Sequence, residues 1–171
     1  PGVLATLQRT HTAGASEEAA KLARQAGFDH VNLDLIYGTP GETDSDVRDS
    51  VNACIDSGAD HVSAYSLIVE PGTPMSRAVK SGALPPPDED ECADRYNIID
   101  SMLQGADFNW YEVSNWAKPG GKCEHNQAYW TNANWWGIGP GAHSHLNGRR
   151  WVNHKHPATY AQALSAGESV Q

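Results

Sequence analysis

The chain has no apolar run approaching the roughly 18 residues that a membrane-spanning helix takes. No signal peptide stands at its start, where Pro1-Gly2 opens without a methionine and the first residues read as mid-domain. It has no excess of basic residues, and a net charge of −9 argues against a general nucleic-acid binder. Cysteine is scarce. Cys54, Cys92 and Cys123 are the only three, and none lies within four residues of another, which excludes a local zinc ribbon and a CxxC redox pair. The odd count and wide spacing point to reduced thiols in a cytosolic protein. No internal repeat or low-complexity tract is present. The 171 residues suffice for one domain with a sizeable core. They fall short of the roughly 250 residues of a complete barrel of eight strand–helix units.

What is present is a strand–helix pattern. Ser16 can cap a helix with Glu17 and Glu18 in its first turn, with Leu22, Ala23 and Ala26 on one face and Gly27 as its stop. Val31–Tyr37 reads as a strand. Thr43 with Asp46 makes a capping-box-like start to a helix whose Val47, Val51, Cys54 and Ile55 fall at helical spacing before Gly58. A second strand is expected over His61–Val69. Helix, strand, helix, strand with short turns is the pattern of a parallel α/β sheet. Thr73 and Pro74 open a short helix, Pro85-Pro-Pro87 is a stiff connection, and Asp88 to Glu91 give the acidic first turn of a helix through Tyr96, Ile99 and Leu103. A third strand is expected over Phe108–Ser114. The composition then shifts to Trp, Asn, Gly and His, with paired strands over Trp135–Val152 turning at Asn147-Gly148 and a last helix over Pro157–Leu164. The expected division is 1–115 for the strand–helix units and 116–171 for the remainder.

Several residues can carry chemistry. Asn32, Asp34 and Ile36 share one face of the first strand. A carboxylate inside a covered parallel strand needs a partner or a ligand, and α/β sheets bind ligands at the carboxyl ends of their strands. Hydrogen bonding of Asp34 to nearby backbone amides is the structural alternative. Tyr37-Gly-Thr-Pro-Gly-Glu42 fits neither a P-loop nor a dinucleotide fingerprint, and reads best as a strand-to-helix turn. Arg9-Thr-His-Thr12 can form an anion clamp, although exposed loops use such residues more often. His125-Asn-Gln-Ala-Tyr-Trp130 joins an imidazole, an amide, a phenol and an indole. An imidazole can ligate iron or zinc and the rings can cover a flat conjugated ligand; an aromatic surface loop packed on a sheet is the plainer alternative. Gly137, Gly139 and Gly141 either let backbone approach a ligand or serve a bent strand. His143 and His145 alternate as zinc ligands can, but spacing supplies no third ligand.

Asp34-Leu-Ile-Tyr-Gly-Thr-Pro-Gly-Glu-Thr43, Val62-Ser-Ala-Tyr-Ser-Leu67, Glu70-Pro-Gly-Thr-Pro74, Leu84-Pro-x-Pro-Asp-Glu-Asp90, Tyr111-Glu-Val-Ser-Asn115, His125-Asn-Gln-Ala-Tyr-Trp130 and Gly137-Ile-Gly-Pro-Gly-Ala-His-Ser144 occur in this order. Together they resemble the oxygen-independent coproporphyrinogen III oxidase-like radical SAM family over nearly the whole chain. The resemblance implies an α/β fold, part of an incomplete TIM-like barrel of parallel strands with covering helices, followed by a C-terminal extension. The family's [4Fe-4S] cluster motif, CxxxCxxC, and its glycine-rich S-adenosyl-L-methionine (SAM) loop are absent here, so this chain alone is not expected to assemble the cluster or cleave SAM. By motif, Arg9, Asp34 and Ile68 would line the SAM pocket.

The HNxxYW motif is similar to that of the family's heme chaperone branch. It implies heme binding, with His125 as axial ligand to the heme iron, Asn126 orienting the ring or bonding a propionate, and Tyr129 and Trp130 covering the macrocycle. The implied function is heme binding and delivery to acceptor proteins. The alternative within the family is a coproporphyrinogen III dehydrogenase that uses a SAM-derived radical to oxidatively decarboxylate propionates, and a catalytically silent chain is a third reading. The resemblance also implies a cytoplasmic protein, with peripheral membrane association of the intact form. If the barrel's first strands are missing, the unpaired sheet edge invites homodimers or poor solubility.

Overall fold

The computed structural model describes residues 14–171 throughout and, ahead of them, Val3, Thr6, Leu7 and Thr12. Arg9 and His11 lie outside the described residues. Two units follow one another along the chain, 1–122 and 123–171.

In the first unit, α1 (Ala15–Gln25) begins two residues earlier than its sequence signal: Gly14, not Ser16, is the cap, and no side chain bonds the helix start. Glu17 and Glu18 still sit in the first turn, where the helix dipole favours them. The helix closes with Gly27 N–H donating to Arg24 O and Phe28 N–H to Ala23 O, a Schellman ending. Leu22 is 53% exposed rather than packed, and Ala20 is the buried residue of this helix. β1 (Asn32–Tyr37) leads into α2 (Asp44–Asp56). The Thr43–Asp46 capping box is complete, and Val47, Val51 and Cys54 are buried as their spacing predicts.

The connecting turn from Gly38 to Glu42 is closed from within. The buried Glu42 carboxylate accepts from Gly38 N–H at 2.7 Å. A carboxylate therefore occupies the turn where a phosphate-cradling loop would receive its anion, and the structural reading of this glycine-proline turn holds. Burial raises the Glu42 pKa, against the opposing Gly38 bond and Arg95 charge. A side chain at Gly38 would be strained, since φ is +82° and a Cβ there would lie 2.6 Å from Cys92 Sγ and displace it.

β2 (His61–Ser66) pairs with β1 in parallel, Asn32 opposite His61 through Tyr37 opposite Ser66. After α3 (Pro74–Lys80), capped by Thr73, comes α4 (Glu89–Gly105), capped by Asp88, which buries Arg95, Ile99 and Leu103. The third strand departs from expectation. β3 (Asn109–Glu112) turns within two residues into β4 (Asn115–Ala117), and the sheet order is β1-β2-β4-β3. β4 lies antiparallel to both β2 and β3. Only the β1–β2 pair is parallel among the described strands, so the expectation of an all-parallel sheet is corrected. The physical reason is the short Val113-Ser114 link: two residues can join only antiparallel neighbours, whereas a parallel return takes a crossover of a dozen or more. β1 is an edge strand of this sheet.

The core lies between one face of the sheet and helices α2 and α4. Tyr37, Val47, Val51, Cys54, Val62, Ala64, Ile99, Leu103, Phe108 and Trp116 form one buried cluster. Trp116 satisfies its indole N–H within it, donating to Asp100 of α4 at 2.8 Å. At the strand starts, Asp60 collects the chain. Its carboxylate accepts from Val31 N–H at 2.7 Å and pairs with Arg24 at 2.9 Å and His30 at 2.7 Å. Its backbone bonds Val31 O and Lys118 N–H. Arg24 also donates to the carbonyls of Gly58 and Asp29.

The second unit holds α5 (Glu124–Trp130), the hairpin β5 (His143–Leu146) with β6 (Arg149–Val152), and α6 (Pro157–Ala166). The hairpin turns at Asn147-Gly148 as its sequence signals, and Trp135 adds a bridge to His145. Its interior is largely polar. Buried Ser144 accepts from Gly137 N–H at 2.9 Å, and buried Asn153 donates to the carbonyls of Gly137 and Gly139 at 3.2 and 3.0 Å. A Cβ on Gly137 would fall on the His143 carbonyl oxygen. The glycine run thus serves a bent segment tied against its own hairpin.

Burial works to raise the Asp60 carboxyl, but bonds from His30 and Val31 and the Arg24 charge outweigh it, and the group titrates below its ordinary range. Asp60→Asn in the full-length protein is expected to lower unfolding free energy near neutral pH by about 1–3 kcal/mol. A depressed folded pKa contributes stability above the unfolded value of about 3.9 and loses it as pH falls through the folded value. Urea midpoints across the acid range check this: the wild type should lose more stability on acidification than the variant, and parallel curves would refute the role given to Asp60.

Candidate functional site

The alternation of β1 and β2 sends Asn32, Asp34, His61 and Ser63 to the sheet face away from the core. Parallel register sets Asn32 opposite His61 and Asp34 opposite Ser63. A row of hydrogen bonds results. His61 Nδ1 lies 2.6 Å from Asn32 Oδ1, and His61 Nε2 lies 2.8 Å from the Tyr111 hydroxyl. Asn32 Nδ2 donates to Asp34 Oδ1 at 2.7 Å, and Ser63 donates to Asn32 Oδ1 at 3.2 Å. An amide oxygen can only accept, so Nδ1 of the neutral ring carries its proton and Nε2 accepts from Tyr111. Each donor in the row then points toward Asp34. His61 is 5% exposed. Burial pushes its pKa down, against the carboxylates of Asp60, Asp34 and Glu112. The sequence reading did not single out His61 or Tyr111, because their meeting with Asn32 depends on strand register.

Asp34 itself is exposed, not enclosed in a doubly covered sheet as expected, and its partner is the Asn32 amide rather than backbone. The reason is that helices α2 and α4 cover the other face. A cleft of about 560 Å³ runs beside it, lined by Leu33, Asp34, Leu35 and Ile36 of β1 with residues of α1 and α2. Its described lining carries Glu17, Asp34, Glu42, Asp46 and Asp49 and no basic side chain. That surface favours a ligand with a positive centre and hydroxyl or ammonium donors. Ile68 stands past the end of β2, 72% exposed, and is not in the described lining of this cleft. Of the three residues expected to share a pocket, Asp34 lines one, Ile68 lies apart from it, and Arg9 falls outside the described residues.

In the second unit the HNxxYW segment is not a loop but helix α5. Its spacing is thereby explained. His125 with Tyr129, and Asn126 with Trp130, are two i, i+4 pairs on adjacent stripes of one helix. The Tyr129 hydroxyl lies 3.0 Å from His125 Nε2, with the rings edge to face at 4.9 Å. Tyr129 packs in turn on Trp135 at 4.7 Å, and Trp135 on His145 at 4.8 Å. Arg150 lies over Trp135, 5.3 Å from the ring centre. His125 is exposed, Tyr129 is 44% and Trp130 62% exposed, and Asn126 is half-buried. His125, Tyr129 and Trp130 therefore all reach solvent from this one helix. His145, by contrast, is buried, and its Nδ1 lies 2.8 Å from Ala133 O. No group of three His, Cys, Asp or Glu side chains that could hold a metal ion occurs among the described residues. No helix among them is long and apolar enough to cross a membrane.

No protein-family model matches the chain. Among solved structures it matches coproporphyrinogen III oxidase (HemN) from Escherichia coli, a radical SAM enzyme, with a TM-score of 0.81 over 99% of this chain and 42% of that one. At 19% identity that likeness carries the fold alone: the chain has the α/β fold of this radical SAM enzyme. It is 55% identical over 165 residues to the heme chaperone HemW of Mycobacterium tuberculosis strain H37Rv, covering 96% of this chain and 42% of the relative. It is 40% identical over 131 residues to HemW of Bacillus subtilis strain 168, covering 77% of this chain and 35% of the relative. HemW of Escherichia coli K12 is 34% identical over 166 residues, covering 93% of this chain and 42% of the relative. Over the stretch it spans, about two fifths of the length of these curated relatives, the chain belongs to the HemW family of radical SAM proteins.

The His61 row makes a pH signature. Because its folded pKa is lowered, the unfolded chain binds more protons between that value and about 6.5, so stability rises with pH through this window and is complete above it. His61→Gln in the full-length protein should flatten the difference in melting temperature between about pH 5 and about pH 7.5. An unchanged difference would show that His61 is not the group responsible.

Proposed function

We propose that the full-length protein binds heme at α5 and delivers it to acceptor proteins. The observation that carries this reading is the exposed His125 residue against the Tyr129 ring, with the Trp130 indole exposed on the same helix. It is supported by relatives named heme chaperones at 55% and 40% identity. Heme is cargo here, so a ligand open to solvent suits a protein that must also let go. His125 supplies the axial nitrogen to the iron. Asn126 orients the macrocycle or bonds a propionate, and Tyr129 and Trp130 cover part of its face.

The radical SAM fold adds a second ligand to the proposal. Asp34, held by Asn32 and lining the acidic cleft, suits the hydroxyl and ammonium donors of S-adenosylmethionine. Arg9 and Ile68 join it on the motif alignment alone. Bound S-adenosylmethionine supplies a carbon-centred radical where an iron–sulfur cluster stands beside it. The cysteines described here do not fit that cluster, whose ligands are thiolates. Cys54 is buried in the core with its pKa pushed up to about 11. Burial likewise raises the Cys92 pKa, and Cys123 belongs to the other unit. A cluster would therefore need ligands from outside these residues. The sheet would form part of a larger, open barrel-like sheet in the full-length protein, in keeping with the HemN likeness. A cytoplasmic location, peripheral membrane contact and self-association belong to the same proposal.

The test is a hemin titration of the full-length protein beside its His125→Ala variant, followed at the Soret band. Saturable binding that falls at least about tenfold in the variant is expected, as loss of an axial ligand demands. Equal affinity of both would refute the assignment of His125. Conversion of coproporphyrinogen III to protoporphyrinogen by the full-length protein would refute the carrier function in favour of the dehydrogenase.

A further inference from the structure

The 3.0 Å contact between Tyr129 and His125 uses the ring nitrogen that an iron would take. Nε2 is the nitrogen remote from the backbone, and so the one a broad, flat macrocycle can approach. If the phenol donates, the Nε2 lone pair is already engaged. If Nε2 carries the proton instead, it has no lone pair to give until the ring changes tautomer. In either case the free protein does not present an available nitrogen there. Tyr129 is also not a freely swinging group. Its ring is held edge-on by Trp135 at 4.7 Å, which is held in turn by His145 at 4.8 Å and by Arg150. The hydroxyl is thus delivered to Nε2 by packing on its far side, on a helical i, i+4 spacing that brings the pair together.

We infer that Tyr129 competes with heme iron for His125 Nε2, and that this competition keeps the bound heme exchangeable. The inference rests on the heme reading of α5. On loading, the Nε2–iron bond forms as iron gives up a water ligand. The phenol keeps its proton and turns its O–H from Nε2 to solvent. No electron is transferred; with the proton on Nδ1 none moves either, and where Nε2 carries it, solvent moves it to Nδ1 before the iron bond forms. On unloading, Tyr129 re-engages Nε2 as the iron bond breaks, so the leaving step ends in a hydrogen-bonded imidazole rather than a bare one. Removing the hydroxyl while keeping the ring therefore strengthens binding, against the ordinary expectation that a residue of a binding motif weakens it.

The experiment uses the full-length protein and hemin as the probe, with Tyr129→Phe and His125→Ala beside the wild type. Phenylalanine retains the ring that packs on Trp135, so the fold is not put at risk. Tyr129→Phe should bind hemin about two- to tenfold more tightly, the range of one net hydrogen bond. It should also lose hemin correspondingly more slowly to excess apomyoglobin. The ring nitrogens of His125 in the hemin-free protein give an independent signature by nitrogen NMR, since Nε2 should shift on loss of the phenol. Unchanged or weaker hemin binding by Tyr129→Phe, with binding still lost in His125→Ala, overturns the competition and leaves the heme site standing. Full binding by His125→Ala overturns both.

Discussion

The Asp60 carboxylate is the constraint on which the first unit depends. It stands at the start of β2 and gathers Arg24 from the end of α1, His30 and Val31 from the approach to β1, and through its backbone Lys118 after β4. By fixing where β1 and β2 begin, it fixes their register. That register, and nothing in either strand alone, places His61 opposite Asn32. From there the hydrogen bonds run on to Asp34. A structural ion pair at one end of the sheet therefore decides how a carboxylate at the candidate ligand site is presented. The arrangement favours a partly shielded network over isolated surface pairs, which contribute little.

The units are stabilised by different means. The first has an apolar cluster between sheet and helices, into which even Trp116 fits because Asp100 takes its indole proton. The second closes around Ser144, Asn153 and glycine backbone, with aromatic rings at its surface. Rings that are not needed for the core are free to meet a ligand. Tyr129, Trp130 and Trp136 are all exposed. The proposed carrier site suits the second kind of architecture, since on that reading grip and release would both happen at the surface.

Much of the first unit was legible from local chemistry. The Thr43–Asp46 box and the Val47, Val51, Cys54 spacing marked α2 because capping and periodicity act within a few residues. The same held for α4, where Asp88 caps a helix that buries Ile99 and Leu103. The hairpin of β3 and β4 escaped because Val113-Ser114 carries none of the Asn or Gly signals of a tight turn. α5 escaped because it is seven residues long and its cap, Cys123, makes no side-chain bond. The chemistry of HNxxYW was visible, while its geometry as two i, i+4 pairs was not. Asp34 was picked out as a polar intruder in an apolar strand. Its neighbours His61 and Tyr111 are distant in sequence, and only strand pairing brings them in.

Gly137 closes with less clearance than any side chain allows, its hydrogen pressed toward the His143 carbonyl. In the language of mutational libraries, that position has a single permitted letter set by geometry alone. A diversified pool spanning α5 and the hairpin thus carries its own internal control. Enrichment of glycine at 137 reports selection for the folded hairpin, whereas changes in residue frequency at 125 and 129 report, on the proposed heme reading, selection for the ligand. The two pressures, usually entangled in one readout, are written here at separate addresses.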